Sequence, residues 1–339
     1  MSSAVRSVAS AARARVRRAW TWGFGKISVA SPAIGSHLVL QSTWVRHPYV
    51  TRKDDQTRRI IREVLALEPM QDVQLSGTGK LMLLSRTRVY FVALGDVSDA
   101  AIQKSIRSWE GIRSSTLADV VSGDWRQLDI AGASVLSTER LETCRDPHRC
   151  GRSILRRLRA EGEYATPPPS SVDAWFRAVP LLTDHDSARH WQGLTLGIAH
   201  HPWRLGPTHG DLTPPNIMKG TTDACVLIDL DRFAWDGIQL FDALHYAVES
   251  YCKTHRTDWI AFLETEAFCE LAEKAAAVHG STANTMEGTN SRRMLTTLYT
   301  LERVRHELRY PVSMMPPSWV QRVGRLLSTI AGGRNEADR

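Results

Sequence analysis

Between residues 54 and 96 the spacing of apolar positions changes period. DDQTRRIIREVLALE (residues 54 to 68) sets an apolar stripe against alternating charge and reads as a helix. DVQLSGTGKLMLLSRTRVYFVALGD (72 to 96) carries short β-rich runs separated by Gly-rich and Arg-Thr turns, the pattern of an antiparallel sheet. Helical spacing returns after Asp96 and Ser98, both good N-cap types, with Ile102, Ile106 and Trp109 on one face through about Ser108 or Ser114. ASVLSTERLE (133 to 142) reads as a further strand leaving the sheet.

The character then shifts. GRSILRRLR (151 to 159) and SARHWQGLTLGIAHH (187 to 201) are helical, and ATPPPSS (165 to 171) reads as a loop within the same region. THGDLTPPNIMKG (208 to 220) holds two adjacent prolines, which exclude a helix interior and a central strand and make it a stiff loop. Ile217 to Lys219 is a short apolar strand, GTTD (220 to 223) a turn, and ACVLID (224 to 229) an apolar strand ending in an acid. Helices follow to the end. The pattern predicts an α+β chain, with a small antiparallel-sheet N-lobe over residues 54–141 and a larger, mainly helical C-lobe over 142–330.

Bulk properties agree with that division. At 339 residues, two lobes are the expected organisation. Apolar content of 42% and charged content of 23% are ordinary for a globular protein. No run approaches the roughly 20 apolar residues of a spanning helix, and the early residues lack the apolar core of a secretory signal, so the expected location is cytoplasmic. The net charge of +7 is uneven. Residues 1–53 hold nine Lys or Arg and no acid, and the rest holds 34 basic against 36 acidic residues. This basic N-terminal arm could rest on anionic lipid at the inner membrane surface, with Trp20, Trp22 and Phe24 following its arginines, or on nucleic acid. A solvated terminus explains it equally well, and an organellar transit peptide has a similar composition. The body lacks the aromatic-basic interleaving of a nucleic-acid binder.

Chemistry gathers in the loop and its hairpin. SGTGK (76 to 80) is not a Walker loop, because Gln74 and Leu81 stand where Gly and Ser or Thr are required, so it reads as a glycine turn between strands. By contrast, a hairpin over 217–229 brings Asp229 beside Asn216, with Asp211 five residues upstream. Asn216 and Asp229 would offer oxygen ligands to Mg²⁺ carrying phosphate oxygens, and Asp211 could accept a proton from an attacking hydroxyl. Each residue alone is an ordinary turn former or cap; the grouping is what argues for a site.

HGDLTPPNIM (209 to 218), followed by Leu227-Ile228-Asp229, resembles the aminoglycoside phosphotransferase and choline kinase branch of the protein-kinase-like fold, whose members typically read HGDLHPGN and then a hydrophobic strand ending in IDF or IDW. The match is specific over about 35 residues, through Phe241-Asp242, and lobe order agrees from about residue 55 to 320. The resemblance implies that Asp211 is the catalytic base, that Asn216 and Asp229 hold Mg²⁺, that Asp242 is structural, and that the hinge over ASVLSTERLE, which includes Glu139, meets adenine. His209 would hold the loop. Thr213 and Pro215 depart from the usual His and Gly, and Asp231 adds an acid that assists the metal or lies on the surface. The first lobe departs further. A strand lysine paired to a helix glutamate is expected to clamp the nucleotide phosphates. RVYFVALG has no lysine near Val92 to Leu94, so the clamping cation is not identified: Lys80 lies one strand earlier and Lys104 on the following helix, and Glu110 is either the helix acid or part of a solvated helix face.

The implied activity is transfer of the γ-phosphoryl group of ATP to a hydroxyl of a small molecule or glycan. The rival reading is a pseudokinase-type scaffold, favoured by the missing strand lysine. The helices over 243–320 balance acids and bases, without the dense acidic pocket a polycationic aminoglycoside would need.

Overall fold

A computed structural model describes residues 27–29, 55–76, 79–178, 185–220, 224–278, 289–307 and 317–332. Apart from Ile27–Val29 the basic arm lies outside the described residues, as do the tip of the SGTGK segment and most of the GTTD turn. In chain order the elements are β1 (Ile27–Val29), α1 (Asp55–Leu67), β2 (Met70–Leu75), β3 (Lys80–Ser85), β4 (Arg88–Ala93), α2 (Asp96–Arg113), β5 (Trp125–Ile130), β6 (Ala133–Glu139) and β7 (Glu142–Thr143). There follow α3 (Pro147–Ala160), β8 (Glu163–Ala165), α4 (Pro169–Ala178), α5 (His185–His200), β9 (Trp203–Thr208), β10 (Ile217–Lys219), β11 (Cys225–Leu227) and β12 (Ala234–Ile238). The described chain ends with α6 (Gln239–His255), α7 (Trp259–Leu263), α8 (Glu266–Val278), α9 (Thr289–Glu307) and α10 (Pro317–Gly332).

Packing divides these elements into two compact units. The first takes the described residues up to Thr143 together with Met218–Asp231, and the second takes Cys144–Ile217 with the chain from Arg232 onward. The sequence-based boundary left residues 218–231 with the helical lobe. They pack with the first unit because β10 adds to β7 (Met218 opposite Thr143, Lys219 opposite Glu142) and Leu227 bridges Val121 in parallel.

In the first unit an antiparallel sheet runs β1-β2-β3-β4-β6-β5. Its β4 is rich in the β-branched and aromatic residues that suit a half-buried pleat, and β3 contributes leucines. Leu81, Leu83, Tyr90 and Val92 meet Ile60, Ile61 and Val64 of α1 in one apolar core. β5 and β6 are joined tightly through Ala131 and Gly132, both with positive φ (54° and 74°), which match the twist of a two-residue hairpin. The α2 face expected from spacing is the buried one: Ile102, Ile106 and Trp109 point inward, and Trp109 Nε1 donates to Ser122 O at 2.7 Å.

The second unit is built on helices around Trp175, Trp191, Trp203, Phe262, Phe268 and Tyr299, with a small sheet ordered β12-β9-β8. Asp146 caps α3, its carboxylate accepting from Arg149 N at 2.9 Å, with Pro147 in the first turn where no amide is needed. ATPPPSS is only partly a loop. Ala165 closes β8, and α4 begins at Pro169, a position in which proline costs no helical bond. Among the described residues no helix is long and apolar enough to cross a membrane.

Candidate active site

β9 delivers the HGD segment. It pairs antiparallel with β12, placing Thr208 opposite Ala234, and the chain then turns at Gly210, whose φ is +75°. A Cβ at 210 would lie 2.6 Å from Arg232 O, so both the backbone angle and the available space require glycine. Past the turn, Thr213 is extended and Pro214–Asn216 form a 3₁₀ turn. That turn has the φ proline already holds, which explains how Pro215 is accommodated. Asn216 N donates to Thr213 O at 2.9 Å and Asn216 Nδ2 to Asp211 O at 2.8 Å, so the amide nitrogen is committed and Oδ1 is the available ligand atom.

The first turn of α6 holds this loop by its backbone. Asp242 Oδ2 accepts from His209 N at 2.6 Å and Oδ1 accepts from Gly210 N at 2.9 Å. His209 is fully buried and its Nδ1 accepts from Asp211 N at 3.2 Å, which fits a scaffold and not a proton carrier. The Asp211 carboxylate keeps about a quarter of its surface exposed. Its Oδ1 lies 3.0 Å from His245 Nε2 and 3.4 Å from Arg232 Nη1. Burial alone would raise its pKa, but Arg232, His245 and Arg303 outweigh burial and hold the carboxyl well below the usual range.

In the first unit, Lys80 occupies the first position of β3, just past Gly79. Its amide donates to Ser76 Oγ at 2.9 Å and its side chain is buried. Its Nζ lies 2.6 Å from Asp229 Oδ1 and 3.4 Å from Asp231 Oδ2. Burial would lower the Lys80 pKa; attraction to the two carboxylates reverses this and raises it. Asp229 adopts φ 62°, a left-handed conformation that asparagine and aspartate tolerate better than most residues. Two carboxylates converging on one ammonium make a hard-oxygen environment in which a magnesium ion fits chemically.

The helix glutamate expected to pair with Lys80 does not do so. Glu110 lies on the exposed face of α2, and the acids at Lys80 are Asp229 and Asp231. Glu139, at the end of β6, accepts from Ser122 Oγ, so its carboxylate is tied to the adjoining loop. Asp229 belongs to the first unit, and Asp211 and Asn216 to the second. Sequence reading missed His245, Arg232 and Arg303 altogether. The one available signal was a histidine three residues beyond Asp242, on the same helical face.

No protein-family model matches the chain, and no curated protein matches its sequence. Its structure is similar to that of a mutant aminoglycoside 2′-phosphotransferase-IIIa in complex with GDP, at 14% identity over 84% of this chain and 98% of that one, with a TM-score of 0.50. It is also similar to APH(2″)-IIa in complex with gentamicin, at 10% identity over 83% and 98% of the two chains, again with a TM-score of 0.50. Choline kinase LicA from Streptococcus pneumoniae aligns at 14% identity over 82% of this chain and all of that one, with a TM-score of 0.47. With its sheet-based first unit and helical second unit, the chain has the two-lobed protein-kinase-like fold of the aminoglycoside phosphotransferases.

Proposed function

We propose that the protein is an ATP-dependent phosphotransferase that moves the γ-phosphoryl group to a hydroxyl of a small molecule or glycan. The observation that carries this reading is Asp211: an ionised carboxylate on a proline-stiffened loop, held through its backbone by Asp242 and through Oδ1 by His245 and Arg232. Such a group suits a reaction that requires positioning more than covalent chemistry. The shared fold adds support, as do the GDP and gentamicin complexes of the two aminoglycoside phosphotransferases.

In this reading Asp211 receives the acceptor hydroxyl and takes its proton late, as the new P–O bond forms, because its low pKa makes it a poor base earlier. Lys80 supplies the cation that neutralises phosphate charge, in place of the lysine absent from β4. Asp229 would hold magnesium together with Asp231, which shares Lys80 with it, and Asn216 Oδ1 is the further oxygen proposed for that ion. When bound, that ion neutralises charge developing on the transferred group. The alternative, a nucleotide-binding scaffold without transfer, is favoured by the missing β4 lysine.

Incubation with Mg–ATP and fractionated small-molecule extract tests the reading. Mass spectrometry should find a product heavier by one phosphoryl group, absent with Asp211→Asn, which still binds nucleotide. Asp229→Ala should lose metal–nucleotide binding. Nucleotide binding without any acceptor-dependent ADP supports the scaffold instead, and unchanged nucleotide binding by Asp229→Ala contradicts the metal assignment.

A further inference from the structure

Asp242, His245 and Glu249 recur on α6 at spacings of three and four, so one stripe of the helix presents all three. Asp242 grips the backbone of the HGD turn. One turn later, His245 places Nε2 at 3.0 Å from Asp211 Oδ1 and Nδ1 at 3.2 Å from Tyr299 Oη. A turn beyond, Glu249 lies 3.1 Å from Arg303 Nη2, and Arg303 Nη1 lies 3.4 Å from His245 Nδ1. Phe241 stacks on the imidazole with ring centroids 5.3 Å apart. His245 is therefore fixed on a ring face and at both nitrogens, with no side-chain exposure.

This arrangement does not look like a proton relay. Behind His245 stands Tyr299, fully buried among Phe241, Trp259 and Phe268, which gives a proton no route to water. The effect on Asp211 is directional instead. An ionised carboxylate oxygen only accepts, so the bond at Oδ1 requires the proton on His245 Nε2. Oδ1 is thus engaged by His245 and Arg232, while Oδ2 makes neither bond. Resting on the phosphotransfer reading, we propose that His245 is a positioning residue that sets the rotation of the Asp211 carboxylate and leaves Oδ2 to meet the acceptor hydroxyl.

Two measurements on the full chain decide it. In protein labelled with ¹⁵N-histidine, the His245 ring signals are identified by their loss in His245→Gln. Asp211→Asn should move the Nε2 signal while circular dichroism stays unchanged; a signal indifferent to Asp211→Asn overturns the contact. The second measurement is hydrolysis of Mg–ATP with water as the acceptor. His245→Phe keeps the stacking volume but offers no donor, and should slow turnover about 100-fold with unchanged nucleotide affinity, the scale expected when a reacting group is misplaced by about 1 Å. His245→Gln, whose amide can donate from nearly the same place, should recover most of that loss. Equal rates for His245→Phe and wild type overturn the proposal, and so does equal loss in the Phe and Gln variants. A wild-type protein that neither hydrolyses Mg–ATP nor forms the phosphorylated product from the small-molecule extract overturns the phosphotransfer reading alone, and the histidine signal still decides the contact.

Discussion

In the first unit one buried ammonium, Lys80, faces two carboxylates, Asp229 and Asp231; in the second, one carboxylate, Asp211, faces Arg232 and His245, with Arg303 behind. Both clusters hold their central group in its charged form, the lysine by a raised pKa and the aspartate by a lowered one. Their surroundings suit different partners. Converging oxygens attract further positive charge. A carboxylate with one oxygen engaged and the other uncommitted is suited to orient a neutral hydroxyl. The same two residue types, acid and base, thus gather carboxylates around an ammonium in one unit and cations around a carboxylate in the other.

Removing the ammonium should have the largest effect. Lys80→Met leaves the buried Asp231 and the half-buried Asp229 without it and should cost about 3 kcal/mol, read as a fall in the urea or thermal midpoint. Added Mg²⁺ should restore more stability to this variant than to wild type, because a divalent ion replaces the missing charge. Equal Mg²⁺ responses would remove the cation-site half of the comparison. Next, Asp242→Asn keeps the shape but offers one acceptor oxygen to two buried amides, a loss of about 1–3 kcal/mol measured by denaturant titration. Gly210→Ala should cost about 1–2 kcal/mol from its left-handed backbone alone, with the approach to Arg232 O adding to it.

The pH dependence sharpens the comparison most finely. The folded-state pKa of Asp211 is depressed, so its stabilisation is complete above the unfolded value near 3.8 and is lost as pH falls through the folded value. The stability gap between wild type and Asp211→Asn should therefore stay level from about pH 8 to pH 5 and close only below about pH 4. A gap that closes between pH 5 and 7 would mean that Arg232 and His245 do not hold the carboxylate as described.

Elements with a strong period were legible in the sequence. The α1 and α2 faces, the β2–β4 strands and the HGD loop all follow from local spacing and proline chemistry. β9 was not assigned from the sequence, since Gly206 and Pro207 are poor strand formers. In the fold, that glycine lets Gln239 approach so closely that a Cβ would lie 2.6 Å from its Nε2. α4 was not assigned for a related reason, since PPP looks like loop until Pro169 is recognised as a first-turn residue. Among the candidate residues, Asp211, Asn216 and Asp229 come from one short stretch of sequence and stood out together there. Lys80 was named as a candidate with Glu110 as helix acid, and its aspartate partners were not legible because they lie about 150 positions away in sequence. His245 and Arg303 look like solvated helix residues in a sequence, and only packing reveals that His245 is buried and Arg303 half-buried.

The paired prolines of the 3₁₀ turn have a thermodynamic consequence. Pro214 and Pro215 narrow the conformations open to the chain before it folds, so little freedom remains for a ligand to remove. Calorimetry of nucleotide or acceptor binding should therefore show a small ordering penalty from this loop. Replacing both prolines with alanine should make the binding entropy less favourable while leaving every polar contact of Asp211 in place.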